Sequence, residues 1–196
     1  MTDLIQLDNV LFHWLNDGCA NGLLDAVMPY WRSKYFWIPL YLFGASFLLI
    51  NFGRKGLYYI FVAVLTIAMT DLSSSQLMKK SVKRPRPCHV MTEGSDLNLL
   101  VRCGGGYSFP SSHASNHFAL AMFVGLTIGR RYAWLRWGML LWALSIGFGQ
   151  IYVGVHYPLD ILGGALLGSF IAWVMSLLYR QLDEWELQWP AVTTHK

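Results

Sequence analysis

Five segments of this chain are long and apolar, and each contains at most one charged residue. They cover residues 35–52, 56–78, 112–129, 132–149 and 161–179. A helix crosses the hydrocarbon core of a bilayer with roughly 20 mostly apolar residues. The composition agrees with this length, since 55% of the residues are hydrophobic and only 13% are charged. The pattern predicts an all-α polytopic membrane helix bundle of about five transmembrane helices.

The remaining residues are expected to belong to the same single domain, 1–196. An amino-terminal region, 1–31, precedes the transmembrane core at 35–179, and a polar tail follows at 180–196. In the first region, apolar residues recur at helical spacing among Asp and Asn side chains. They are Leu4, Leu7, Val10, Leu11, Trp14 and Leu15. This spacing predicts an amphipathic interfacial helix or, as an equal alternative, a terminal helix packed on the bundle.

The basic residues bear on partners and orientation. A net charge of +4 would suit nucleic acid in a soluble protein, but here the cations flank apolar segments, as membrane orientation requires. We therefore expect the bilayer, and no nucleic acid, as a partner. If the chain crosses the membrane five times, one set of basic residues lies on the same membrane face: Arg54, Lys55, Arg130, Arg131, Arg136 and Arg180. If the basic loop on the opposite face binds an anion, the first face is cytoplasmic and that loop faces outward.

Two cysteines give a second indication of the compartment. Cys88 and Cys103 bracket the long loop between the second and third apolar segments. Outside the cytoplasm they can form a disulfide, which would stabilise the fold by on the order of 3 kcal/mol in the chain-entropy model. The alternative is two unrelated thiols. In either case Cys19 remains without a cysteine partner.

Residues 79–87 form the first of three polar clusters, each of which lies where an apolar segment meets a loop. They read Lys-Lys-Ser-Val-Lys-Arg-Pro-Arg-Pro, which alone is also typical of a basic membrane flank. Arg can hold phosphate oxygens with two donors, and Lys adds a point charge. The prolines impose an extended path that directs Arg86. Lys79 and Arg86 are therefore candidates to bind a phosphate group.

The second and third clusters add a helix start and a histidine–carboxylate pair. Ser111 or Ser112 can cap the third apolar helix, and a helix amino-terminus attracts anions. His113, in the first turn, is placed to donate a proton to a leaving group. Asp160 follows His156 by four residues, and a carboxylate bonded to one imidazole nitrogen leaves the other free for attack. Five spans put all three clusters on one face.

A metal centre is the weaker interpretation of these histidines. His113 and His117 are spaced as a His-x-x-x-His pair, which can hold zinc. The sequence offers no third ligand at metal-binding spacing. We therefore expect no metal and no cofactor.

Taken together, the three clusters resemble the type 2 phosphatidic acid phosphatase superfamily. The resemblance covers residues 56–179 and rests on Lys79-x6-Arg86-Pro87, Pro110-Ser111-Ser112-His113 and His156-x3-Asp160. It implies that His156 is the nucleophile, which forms a phosphohistidine, and that Asp160 orients it. His113 would be the general acid. Phosphate-binding roles would fall to Lys79, Arg86, Ser111, Ser112 and the residue at position 150.

The sequence departs from the family pattern at two positions. Ser112 replaces a glycine, a change that we expect to be tolerated. Gln150 stands six residues before His156, where the family usually has an arginine. Loss of one charge-assisted bond to phosphate costs roughly 1.5–3 kcal/mol. We expect a cation of the adjoining loop to compensate, with Lys83, Arg84 and Arg102 as candidates.

The expected activity is metal-independent hydrolysis of a lipid phosphate or diphosphate. The resemblance favours undecaprenyl pyrophosphate or a phospholipid phosphate monoester as the substrate. We expect an integral protein of the bacterial inner (plasma) membrane, and the basic residues and cysteines favour a site that faces the periplasm or exterior. Two alternatives remain open: a phosphotransferase that uses the same phosphohistidine, and a non-catalytic membrane protein on this scaffold. The oligomeric state is not predicted.

Overall fold

A computed structural model describes residues 2–91 and 97–182, and the described part of the chain consists of helices and loops without a strand. The helices are α1 (Thr2–Asn16), α2 (Gly22–Trp31), α3 (Ile38–Phe52), α4 (Arg54–Leu72), α5 (Lys79–Val82), α6 (Pro87–Val90), α7 (Ser112–Leu126), α8 (Ala133–Tyr152) and α9 (Pro158–Leu182). A π-helical turn, Ser73–Met78, joins α4 to α5. Most of the polar tail predicted at 180–196 lies outside the described residues.

The five apolar segments correspond to α3, α4, α7, α8 and α9. By length and composition, two helical stretches can cross a membrane, Arg54–Val90 and Pro158–Gln181, while Ile38–Phe52 is a shorter apolar helix. The all-α prediction is confirmed. Helix length and composition do not by themselves establish that the chain crosses the membrane five times. The amino-terminal region contains two helices, α1 and α2, where the sequence indicated one.

The outer surface of the bundle is apolar, which is the reverse of a soluble protein. On α3, Leu42 and Phe43 are 63% and 67% exposed, and on α9, Leu166 and Phe170 are 65% and 61% exposed. A soluble monomer does not present such large contiguous apolar surfaces to water. Lipid tails accept them at no cost. The protein is therefore an integral membrane protein.

Helices α7 and α9 form the centre of the bundle because two glycines allow their backbones to touch. A Cβ atom at Gly168 would lie 2.1 Å from the Ser115 carbonyl oxygen, and one at Gly164 would lie 2.7 Å from that of Ser111. Small residues spaced by four permit such close approach between membrane helices. The contact brings the start of α7 beside the start of α9, and both carry predicted site residues.

Helix α1 packs on the bundle with an unexpected orientation. Its exposed side carries apolar residues such as Leu7 and Trp14, whereas Asp8, Phe12 and Asn16 are buried against the protein. Asn16 donates to the Asn98 and Tyr152 carbonyl oxygens over 2.9 and 2.6 Å. The packed alternative predicted for this helix is therefore correct. Its apolar side faces outward, as an interfacial location also requires.

We predict that Gly168→Ala destabilises the protein, whereas Gly44→Ala does not. Both residues lie inside helices, so both substitutions gain the same helix propensity. At Gly44 a Cβ atom meets nothing within 4 Å, while at Gly168 it meets backbone. Overpacking of this kind costs about 1–3 kcal/mol. The measurement is the thermal unfolding midpoint in detergent, and equal midpoints for the two variants would contradict the proposed backbone contact.

Candidate active site

A cavity of about 230 Å³ lies where the three polar clusters meet. Its lining residues are Arg32, Lys79, Arg86, Arg102, Gly104, Ser112, His113, Val155 and His156. Four of these residues are cationic, and among the described residues no carboxylate belongs to the lining. A cavity with this charge attracts a multiply charged anion. The loops and helix starts that the sequence predicted to share one face therefore do meet in space.

His156 is held in one orientation by two polar partners. Its Nδ1 atom lies 3.4 Å from Asp160 Oδ2, and its Nε2 atom lies 3.2 Å from Arg86 Nη1. Because an ionised carboxylate only accepts hydrogen bonds, the ring proton belongs on Nδ1. Arg86 then donates to the lone pair on Nε2. The atom that faces the cations is thus the unprotonated nitrogen, as a nucleophile requires.

The electrostatic environment keeps this imidazole neutral. Burial is the main cause that lowers the pKa of His156, to about 4, and Arg86 and Lys79 lower it further. Asp160 acts in the opposite direction, through its hydrogen bond and its charge. His156 lies in the loop between α8 and α9. At neutral pH its Nε2 lone pair is therefore available.

Asp160 is fixed by a buried hydrogen-bond network that extends to the amino-terminal helix α1. Its Oδ2 accepts from the Tyr157 backbone N–H over 2.8 Å, and its Oδ1 accepts from Arg84 Nη1 over 2.8 Å. Arg84 also pairs with Asp8 of α1, which in turn accepts from the Leu159 N–H over 2.8 Å. The carboxylate beside His156 therefore cannot turn away without breaking several contacts.

This network corrects the prediction about compensating cations. Arg84 is held between Asp8 and Asp160 and is not among the residues that line the cavity. Lys83 ends α5 in the left-handed conformation, is exposed, and does not line the cavity either. Of the three candidates, only Arg102 reaches it.

The start of α7 contributes two serines with different roles. Ser111 is the N-cap, and its hydroxyl accepts from the Ala114 N–H over 3.4 Å. It is fully buried, and its own N–H donates to the Asp160 carbonyl oxygen over 3.0 Å. Ser112 instead lines the cavity, and its hydroxyl accepts from Ser74 in the π-helical turn over 3.0 Å. Of the two, only Ser112 can contact a bound anion directly.

Gln150 lies behind the cavity wall rather than in it. Its side chain is fully buried, and its Oε1 accepts from Arg32 Nε over 3.0 Å. Arg32 caps the carboxyl end of α2 and lines the cavity. Local spacing does not point to Arg32, because it lies 118 residues from Gln150 in the chain. To identify Arg32, one would have needed to know that α2 and α8 are in close contact at that point.

A disulfide closes the loop whose two ends lie beside cavity-lining residues. Cys88 and Cys103 form a disulfide with a Cα–Cα distance of 5.9 Å, and Cys19 is a free cysteine. Arg86 lies just before this loop, and Arg102 and Gly104 flank its end. Arg86 also donates to the Gly106 and Val155 carbonyl oxygens over 3.3 and 3.2 Å. The cross-linked loop therefore positions two of the four cations.

A second cavity, of about 250 Å³, adjoins the first and shares Ser112 and His113 with it. Its other lining residues are Lys34, Tyr41, Ile67, Asp71, Asn116, His117, Leu120 and Trp142. Both ring nitrogens of His117 have polar neighbours: Nδ1 lies 2.7 Å from the His113 carbonyl oxygen, and Nε2 lies 3.4 Å from the Tyr41 hydroxyl. This cavity is partly apolar and partly polar.

Comparisons with known proteins agree with this geometry. The model of the PAP2 superfamily matches residues 55–184. A lipid A 4'-phosphatase of Bacteroides thetaiotaomicron is 34% identical over 182 residues, which are 91% of this chain and 80% of the relative. An undecaprenyl-diphosphatase of Sulfolobus acidocaldarius is 30% identical over 155 residues, or 79% and 68% of the two chains.

A solved structure is similar over nearly the whole fold. The crystal structure of Aquifex aeolicus LpxE superposes with a TM-score of 0.66 at 28% identity, and the match covers 88% of this chain and 96% of that one. The phosphatase class predicted from the sequence is confirmed by these relatives. The chain thus belongs to the PAP2 superfamily, to which its three polar clusters already pointed.

Proposed function

We propose that this protein hydrolyses the phosphate ester of a membrane lipid through a phosphohistidine at His156. The observation that carries the proposal is the position of that side chain: Nδ1 faces Asp160 and Nε2 faces a cavity lined by four cations. Its relatives include several named lipid phosphatases. Phosphate held by the cations would lie directly in front of the unprotonated nitrogen.

In the first step, Nε2 of His156 attacks phosphorus. A nitrogen–phosphorus bond forms as the bond from phosphorus to the lipid oxygen breaks. Arg86, whose Nη1 lies 3.2 Å from Nε2, turns its donors to the phosphoryl oxygens and frees the lone pair. Lys79, Arg102 and the α7 amino-terminus at Ser112 stabilise the charge of the transition state. His113 enters this step in its protonated, imidazolium form, donates a proton to the departing lipid oxygen and becomes neutral.

In the second step, water attacks the phosphohistidine. Neutral His113 takes a proton from this water as the oxygen–phosphorus bond forms and the nitrogen–phosphorus bond breaks. Inorganic phosphate leaves, and His156 returns to the tautomer that Asp160 favours. Asp160 accepts the hydrogen bond from the Nδ1–H group of His156 throughout, because Arg84 and the Tyr157 N–H hold the carboxylate in place.

We infer that the leaving group occupies the second cavity, because His113 lies between the two cavities. There Asn116 donates to Asp71 over 2.9 Å. Lys34 and Asp71 give this cavity one charge of each sign, so it favours neutral polar groups, such as the hydroxyl and amide groups of a sugar, over a second phosphate. We therefore propose a phosphate monoester on a glycolipid of the lipid A type as the substrate. Undecaprenyl diphosphate is the second candidate, favoured by the relative from Sulfolobus acidocaldarius.

For the membrane arrangement we propose five spans, α3, α4 with α5, α7, α8 and α9. The site then lies at the end of the bundle where α4, α7 and α9 approach the surface, within reach of a lipid head group. The basic residues at the opposite end, such as Arg54 and Arg130, favour a cytoplasmic location for that end. The site would face the periplasm from the bacterial inner membrane, where a disulfide is stable.

We predict that His156→Ala and His113→Ala each abolish phosphate release, whereas His89→Ala does not. All three residues lie on the same end of the bundle, but His89 is exposed and lines neither cavity. Phosphate release is measured with purified protein and a chelator, on lipid A, undecaprenyl diphosphate and phosphatidic acid. Full activity of His156→Ala would refute the phosphohistidine.

The same assay separates the remaining alternatives. Transfer of phosphate to an added lipid alcohol would identify a phosphotransferase. A protein that remains folded and binds phosphate but releases none from any lipid would be non-catalytic. Faster turnover of undecaprenyl diphosphate than of lipid A would contradict the assignment of the second cavity to a glycolipid.

We predict opposite shifts of the His156 pKa in two variants. Asp160→Asn removes the carboxylate that raises this pKa, so it should fall below about 4. Arg86→Gln removes a nearby positive charge, so the pKa should rise. The imidazole is titrated by nitrogen NMR in the detergent-solubilised, histidine-labelled protein. An unchanged pKa in both variants would show that burial alone sets the titration, and a shift in the same direction for both would contradict the opposite effects assigned to the two charges.

A further inference from the structure

The carboxyl end of α2 docks on α8 beside the phosphate cavity. A Cβ atom at Gly149 would lie 3.2 Å from Arg32 Cβ, so the glycine provides the space for this contact. The Trp31 indole donates to the Ser145 hydroxyl over 2.9 Å, which fixes the preceding residue on the same helix. Trp37 donates to the Trp31 carbonyl oxygen over 2.8 Å and closes the turn after α2. The backbone of Arg32 is therefore fixed relative to α8.

Gln150 fixes the side chain of Arg32 as well. Its Oε1 accepts from Arg32 Nε over 3.0 Å, and its Nε2 donates to the Arg32 carbonyl oxygen over 3.4 Å. A guanidinium has five N–H donors in a planar fork. Because Gln150 binds the inner nitrogen, the two outer nitrogens remain for another acceptor. The described residues supply no carboxylate within ion-pair distance of Arg32.

The location of this guanidinium is unfavourable unless an anion is present. Arg32 lines the same cavity as Lys79, Arg86 and Arg102. Burial is the main cause that lowers its pKa, to about 10, and the charge of Arg86 lowers it further. The group still carries its charge at neutral pH. An anion in the cavity would offset both the desolvation and the repulsion.

We propose that Arg32 grips the phosphoryl group with its two outer nitrogens and that Gln150 is the positioning residue that aims it. The inference rests on the proposed phosphate chemistry of the cavity and adds a binding residue to it. The cation at this corner of the site thus comes from α2, and α8 contributes only the amide that holds it. This explains how the site can function with a neutral residue at position 150.

The test is the binding of orthovanadate and inorganic phosphate to the full-length purified protein, measured by calorimetry with a chelator present. Arg32→Gln should weaken binding roughly 10- to 100-fold, as loss of a charge-assisted bidentate contact predicts. The matched control is Arg131→Gln, the same change at an exposed turn. That variant should bind both anions as the unsubstituted protein does.

Two changes at position 150 test the positioning role. Gln150→Glu offers Arg32 a carboxylate, so it should weaken anion binding as strongly as Arg32→Gln. The double variant, Arg32→Gln together with Gln150→Arg, places the positive charge on α8 and the amide on α2. It should recover most of the anion affinity that Arg32→Gln alone loses. Gln150→Arg alone should give no gain, because two guanidinium groups then compete for one place.

The results distinguish this inference from the proposed function. If the unsubstituted protein binds neither anion, both are overturned. If it binds and Arg32→Gln binds within about twofold of it, a difference of less than about 0.5 kcal/mol, only the role of Arg32 is overturned. Should the double variant fail to fold, Gln150→Glu decides: unchanged binding in that variant would overturn the positioning role.

Discussion

The site depends on one buried carboxylate, that of Asp160. It receives hydrogen bonds from Arg84, the Tyr157 backbone and His156, and its residue also accepts the Ser111 N–H through the main-chain carbonyl. Those contacts connect the loop before α6, the start of α7 and the start of α9. Removal of one partner from a buried charge pair costs about 3–5 kcal/mol. Asp160 is therefore a structural centre as well as an orienting group.

The charges around the cavity separate into two sets with different purposes. Arg84 is neutralised by Asp8 and Asp160 and holds the structure together. The cations that line the cavity instead repel one another, and the fold holds them by other means: a disulfide, carbonyl acceptors and the Gln150 amide. An anion in the cavity would relieve their mutual repulsion. The site is preorganised for an anion at the expense of stability without one.

The sequence predicted the parts of this arrangement that depend on local spacing. Hydropathy alone located α3, α4, α7, α8 and α9, because lipid contact requires long apolar segments. The contact between His156 and Asp160 could be predicted because Asp160 lies in the first turn of α9, only four residues after His156. Arg32 could not, since its contact with Gln150 joins residues 118 positions apart through a pair of packed helices. The ion pair of Asp8 was missed for the same reason, since charge alone does not indicate which distant partner it meets.

Helix α1 has a consequence for the biosynthesis of the protein. Asp8 accepts a hydrogen bond from Leu159, 151 residues later in the chain. The ribosome synthesises α1 before α9, so the polar side of α1 has no partner at Leu159 until α9 is inserted. The cavity and the pair of His156 and Asp160 are thus completed only when α9 is in the membrane. A nascent chain arrested before α9 can insert its earlier helices but lacks the carboxylate that orients His156.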